Sequence, residues 1–212
     1  MSGREVGADD ESSPRHHPPD FCASASLSVM YKLITFAYLP CRRHEVLFLS
    51  KKYCVAYKNK QMISFDLPSF PIKTIQQEGR TYLFDFLRKR YVRLTPEEWV
   101  RQHFTHFLIT YKHYPPALLA NEVTLRVSGA SRRCDSVLYH REGGLPRAII
   151  EYKAPHVPVS AQVFQQICAY NSVLRADYLM ISNGATHFCC HIDYTTLHVT
   201  PLPEIPDYAD LR

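Results

Sequence analysis

From Met62 onward, apolar and polar positions follow two rhythms, and each change of rhythm marks a predicted element. Thr95-Pro96-Glu97-Glu98 opens a helix, with Thr95 as N-cap, Pro96 in the first turn and Glu98 placed to complete a capping box. Trp99, Val100, Phe104, Phe107, Leu108 and Tyr111 form its apolar face. Val123, Leu125 and Val127 then alternate with Glu122, Thr124 and Arg126, the period of a first core strand. Residues 134–139 and 147–153 are rich in β-branched and aliphatic side chains. Between them, Glu142-Gly143-Gly144 supplies the permissive backbone of a hairpin turn. Ser160 is placed to cap a second helix whose apolar stripe is Val163, Phe164, Ile167, Tyr170 and Leu174. Residues 178–182 read as a buried strand ending in an Asn183-Gly184 turn. Upstream, short strands are expected at 62–65, 73–76 and 81–84, broken by Pro68, Pro71 and Gly79. The order helix, three strands, helix, strands predicts a three-layer α/β domain with the hairpin at its centre.

The hairpin carries the candidate chemistry. Antiparallel pairing brings Asp135 near Glu151, and strand alternation sends Glu151 and Lys153 to one face with Ile149, and Ile150 and Tyr152 to the other. Magnesium is a hard octahedral ion that suits one or two carboxylates plus phosphate oxygens and water, so Asp135 and Glu151 fit it, with the Tyr152 carbonyl as a further ligand. Manganese fits the same oxygens. A lysine two residues from a metal acid can position water or stabilise developing charge, which is the part read for Lys153. The alternative is a solvated strand edge, where Glu-x-Lys is an ordinary surface ion pair. Against that stands Ala148-Ile149-Ile150, since a buried strand rarely ends in ionisable side chains unless they are paired or bound to metal. Four-residue spacing stacks Gln166 over Tyr170 on the second helix, beside Gln162. That pair either holds a phosphate or site carboxylate, or is the polar border of a packed helix.

These residues resemble a known group. Asp135, Glu151-Tyr152-Lys153 and Gln166-Ile167-Cys168-Ala169-Tyr170 are similar to the D, E-x-K and Q-x-x-x-Y motifs of PD-(D/E)XK nucleases. Leu94-Thr95-Pro96-Glu97-Glu98-Trp99-Val100-Arg101-Gln102-His103, Glu151-Tyr152-Lys153-Ala154-Pro155 and Ile205-Pro206-Asp207-Tyr208 resemble the N-terminal nuclease domain of bacterial type I restriction enzyme R subunits, in its short stand-alone form. The resemblance runs from about Met62 to the C-terminus. It implies a restriction-endonuclease-like fold with a central mixed β-sheet flanked by helices, and a PD-(D/E)XK nuclease-like domain over 62–212. Asp135 and Glu151 would be metal ligands and Lys153 the catalytic lysine, with Gln166 and Tyr170 in the site. The chain departs from the broader pattern at Cys134, where Pro is frequent.

Composition adds little. The 212 residues are 46% hydrophobic, enough for one sizeable core, and no run of about 18 apolar residues is present. The net charge of +5 suggests a nucleic-acid partner, yet residues 62–212 hold 16 Lys and Arg against 14 Asp and Glu, only +2. Local clusters say more: Arg88-Lys89-Arg90 with Arg93, and Arg132-Arg133, either contact phosphates or lie in solvated loops. The seven cysteines are scattered, without a C-x-x-C pair or a secretory segment, so a reducing, cytoplasmic setting is expected. His187, Cys189, Cys190 and His191 alternate along a strand and are not expected to converge on one zinc.

Residues 1–61 show no persistent period, and their apolar stretch from Leu27 is interrupted by Lys32. They are expected to be a disordered or partner-binding arm, or an upstream extension of a protein that starts at Met62. The expected activity is magnesium-dependent cleavage of DNA, by a monomer or a homodimer. Two alternatives belong to other classes. One is a binding module that keeps the fold without catalysis. The other is an accessory subunit working with a helicase or translocase in a restriction or repair assembly, since the chain has no G-x-x-x-x-G-K-[ST] motif of its own.

Overall fold

The structure, a computed structural model, describes residues 65–211. The expectations for 1–61, for a start at Met62 and for most of the 62–65 strand fall outside the described residues; Phe65 itself lies in no strand.

Two sheets organise the chain. The smaller holds β1 (Thr74–Gln77), β2 (Arg80–Asp85) and β3 (Arg90–Arg93), antiparallel and in that order. The larger runs β4 (Leu119–Val127), β5 (Ala130–Tyr139), β6 (Pro146–Tyr152), β7 (Tyr178–Ser182), β8 (His187–Asp193) and β9 (His198–Leu202), also in chain order. Every neighbouring pair is antiparallel except β6 with β7, so the sheet is mixed. That parallel pair needs a crossover, and α2 (Ala161–Leu174) supplies it. The other helix, α1 (Pro96–Thr110), precedes the sheet.

Alternation along β6 splits the core in two. Ala148, Ile150 and Tyr152 join Val100, Phe104 and Leu108 of α1, whereas Ile149 joins Val163, Phe164 and Ile167 of α2. Cys189 goes to the first cluster and Cys190 to the second, so β8 is a two-faced strand. The hairpin, α2 and β7 therefore form where the apolar pattern puts them. After β7, Gly184 has φ +87°, and a Cβ there would lie 2.6 Å from the Phe65 ring, so this turn requires glycine on two counts.

The first core strand departs from simple alternation. Glu122, in the middle of β4, has φ +58°, a left-handed conformation that costs a non-glycine residue about 1–2 kcal/mol. Leu119 before it packs with α1, while Val123 after it packs against the α2 cluster. The faces exchange across this kink, directly opposite Asp135, since Asn121 pairs Ser136 and Val123 pairs Cys134.

Capping differs in detail from expectation. Thr95 caps α1 through its hydroxyl, which accepts from the Glu98 N–H at 3.0 Å. The reciprocal half of the box does not form, because the Glu98 carboxylate turns to Arg88, Arg101 and Gln102 instead. Ser160 holds the N-cap position of α2 without a side-chain cap bond, and Tyr111 is the exposed C-cap of α1.

The basic run before α1 is also not one solvated loop. Arg88 is largely buried and ties the small sheet to the rest, pairing with Asp85, with Glu98 at 2.5 Å and with Glu122 at 3.1 Å. Asp85 is fully buried and accepts the N–H groups of Leu87 (2.8 Å) and Arg88 (2.9 Å). Burial alone would raise its carboxyl; the Arg88 N–H and guanidinium, with Gln102, outweigh that and hold it below the usual range. The stability it contributes is thus present above the unfolded-state value of about 3.9 and is lost as pH falls through the lower folded value. Asp85→Asn is expected to be less stable than the parent at pH 7 in urea titrations, with the gap closing as the pH is taken below 3.9. A gap unchanged by pH would contradict this assignment.

The Ile205-Pro206-Asp207-Tyr208 stretch anchors the C-terminal tail. Tyr114 donates its hydroxyl to the Pro206 carbonyl (3.2 Å), Lys112 pairs with Asp207 (3.2 Å), and Arg147 bonds the Leu211 carbonyl while stacking on Tyr208.

Candidate active site

Glu151, Lys153, Gln166 and Tyr170 form one hydrogen-bonded cluster, and Asp135 lies near enough to act electrostatically on Glu151 and Lys153. β5 presents Asp135, β6 presents Glu151 with Lys153 just past its end, and one face of α2 presents Gln166 above Tyr170. Glu151 is 2% exposed. Its Oε1 accepts from Lys153 Nζ at 2.7 Å and from Gln166 Nε2 at 2.6 Å, while its Oε2 is buried without a partner among the described residues. Lys153 also donates to Gln166 Oε1 at 3.0 Å, and Gln166 donates to the Tyr170 hydroxyl at 2.9 Å. Gln162 is exposed and makes no such contact.

The charges are unevenly balanced. Burial, and after it the Asp135 carboxylate, push the Glu151 carboxyl well above its usual range, with Lys153 opposing. Burial works against charge on Lys153 too, but Glu151, Asp135 and Glu97 outweigh it and keep the ammonium protonated. Burial and the nearby carboxylates raise the Tyr170 phenol, so it stays neutral.

Asp135 is held from two sides. Its Oδ2 accepts the Tyr152 backbone N–H at 2.9 Å, and its Oδ1 accepts from Arg101 Nη2 at 2.9 Å. Arg101 is 4% exposed, reaches Glu98 with Nη1 at 2.8 Å, and lies over the Tyr152 ring at 5.5 Å. The Tyr152 side chain faces α1, where its hydroxyl meets Thr105 at 3.3 Å, so only its backbone borders the acids.

Sequence reasoning did not single out Arg101 or Glu97. Of the two glutamates opening α1, Glu98 is consumed by arginines. Glu97 is the one near the pair: burial first, then Asp135, raise its carboxyl, and Arg101 and Lys153 pull it down. The i, i+4 spacing of Glu97 and Arg101 was the available signal. Glu122 faces this side as well, toward Arg88, Arg133 and Arg101.

Together, six acids (Asp85, Glu97, Glu98, Glu122, Asp135, Glu151) meet three sheltered cations (Arg88, Arg101, Lys153) and, at the edge, the exposed Arg90 and Arg133. Negative charge is in excess, and a buried carboxylate oxygen is unpaired. Both favour a cation beside Glu151 and Asp135.

Fold and side chains together define an α/β protein with a carboxylate and lysine cluster on the central strands of a mixed sheet. The chain belongs to the family described as Type I restriction enzyme R protein N terminus, whose profile matches residues 96–206, just over half its length. No curated protein and no solved structure gave a match. Among the described residues, no helix is long and apolar enough to cross a membrane.

Proposed function

We propose that this chain is a metal-dependent DNA endonuclease hydrolysing phosphodiester bonds, with a three-layer restriction-endonuclease-like domain of the PD-(D/E)XK type. The observation that carries the reading is the unpaired, buried Oε2 of Glu151, set beside Asp135 in an acid-rich cluster with a protonated lysine. Such an oxygen is costly to bury and is the natural place for a divalent ion.

Asp135 and Glu151 would hold Mg2+, or Mn2+, with the Tyr152 carbonyl between them as a third ligand. Among the described residues no three His, Cys, Asp or Glu side chains are grouped to hold a metal ion, so water and phosphate oxygens would have to complete its coordination. Although both oxygens of Asp135 already accept hydrogen bonds, a carboxylate has about four lone-pair sites, so coordination remains open to it. When bound, the metal supplies Lewis-acid polarisation of the phosphate and a water of lowered pKa.

The chain's own groups do the rest. Lys153, fixed by Glu151 and Gln166, places a positive charge where negative charge develops on the phosphoryl oxygens. Gln166 and Tyr170 lock that lysine and Glu151 in place from α2. Arg101 fixes the rotamer of Asp135, and Glu97 adds a carboxylate at the mouth. DNA is the expected substrate, and a helicase or translocase or another restriction subunit the expected partner. Cutting both strands would call for a homodimer or two successive events.

The test is cleavage of supercoiled plasmid by the full chain with Mg2+ or Mn2+, beside an EDTA control. Nicking or linearisation only with metal is the expected result. No cleavage by a folded chain, with or without metal, would move the weight to a non-catalytic accessory subunit.

A further inference from the structure

Next to the acid pair lies a cavity that shares Arg101 and Glu97 with the proposed site. Its volume is about 380 Å3, within the roughly 300–1,000 Å3 range of small-ligand sites. It opens between the edge strand β3, the start of α1, and β4 and β5 at the Glu122 kink. Arg90, Arg93 and Arg133 lie at its exposed margin, with Arg90 and Arg133 side chains 63% and 64% exposed. Tyr91, 42% exposed, also lines it. Deeper in is Arg101, whose Nε is buried and has no partner among the described residues. The same guanidinium holds Asp135 on its other side. One side chain thus forms the wall between this cavity and the proposed cleavage centre.

Among the described residues, Arg90 and Arg133 pair only with Glu122, at 3.5 and 3.4 Å, and so retain donors for a second anion. Glu122 is already held by Arg88, Arg90 and Arg133, and Glu97, with its side chain 45% exposed, sits at the mouth. Exposed guanidiniums beside an exposed ring match one nucleotide, with its phosphate on the arginines and its base stacked on Tyr91. A paired base cannot enter a recess of this kind without leaving its stack, whereas an unpaired one can.

We propose that this cavity binds an unpaired nucleotide of the DNA strand adjoining the scissile phosphate, so that the chain prefers single-stranded or frayed DNA to intact duplex. The inference rests on the nuclease reading for its placement, since only that reading makes the neighbouring phosphate the scissile one.

Fluorescence anisotropy with the full chain tests it, using a labelled single-stranded 12-mer (about the length of one single-strand site) and its duplex, both in EDTA. The single strand is expected to bind more tightly. Tyr91→Ala should weaken single-strand binding roughly tenfold while Tyr91→Phe retains it, because either ring can stack. Arg93→Gln, a second variant at an exposed edge, should weaken binding and lower the salt slope by about one. Duplex bound as tightly as single strand, or Tyr91→Ala binding like the parent, would overturn the proposal. Because affinity is read without metal, a chain that passes this test yet cleaves nothing would refute the nuclease reading and leave the nucleotide site standing.

Discussion

Glu151→Gln is expected to lower metal-dependent DNA cleavage by about a thousandfold or more while the chain stays folded. The substitution preserves shape. A glutamine Oε1 can still accept from Lys153 and Gln166, and its amide takes the place of the oxygen that has no partner. What disappears is the negative charge, and with it half of the acid pair that favours a cation. Two effects on stability oppose each other: Lys153 loses its ion pair, and Asp135 loses a like-charged neighbour. Circular dichroism and thermal unfolding should therefore stay close to the parent, while Mn2+ affinity by titration calorimetry falls with cleavage. Parental cleavage in this variant would sink the assignment of Glu151. Loss of cleavage with Mn2+ affinity intact would instead relocate the metal.

How much of this was legible depended on range along the chain. The β5–β6 hairpin, α2 and β7 were readable because their signals are local: a glycine turn, period-two alternation, and a stripe at helical spacing. Asp135 and Glu151 followed from the hairpin, and Gln166 and Tyr170 from one helical turn. β3 was not readable, since Arg90-Tyr91-Val92-Arg93 is an exposed edge whose charges erase the apolar alternation. The φ of Glu122 was invisible too, because glutamate carries no left-handed preference and the kink is imposed by its tertiary setting. Glu98 misled for the same reason. Capping is a three-residue rule, but Arg88 lies ten residues upstream and becomes its partner only when the small sheet docks. Arg101 and Asp135 are 34 residues apart, on a helix and a strand whose meeting no local pattern announces.

That long-range pair supports the second prediction with a large effect. Arg101→Met is expected to cost about 3–5 kcal/mol of stability, measured by urea unfolding at neutral pH. Methionine has similar length and packs well, so the loss is electrical rather than steric. Arg101 is 4% exposed and satisfies Glu98 at 2.8 Å and Asp135 at 2.9 Å, with Glu97 and Glu122 farther off at 3.9 Å. Removing it leaves several carboxylates facing one another with Arg88 and Lys153 as the remaining sheltered cations, and an uncompensated buried charge is far costlier than a missing pair. If that is the cause, neutralising the acids should help: adding Glu98→Gln and Asp135→Asn to Arg101→Met should recover part of the loss, a non-additivity expected only of side chains in one network. Arg101→Lys should fall between, because an ammonium on a flexible stem cannot reach both acids with separate, fixed donors. A cost below about 1 kcal/mol for Arg101→Met, the scale of an exposed pair, would show that the acids here are screened by water and that Arg101 does not hold the site together.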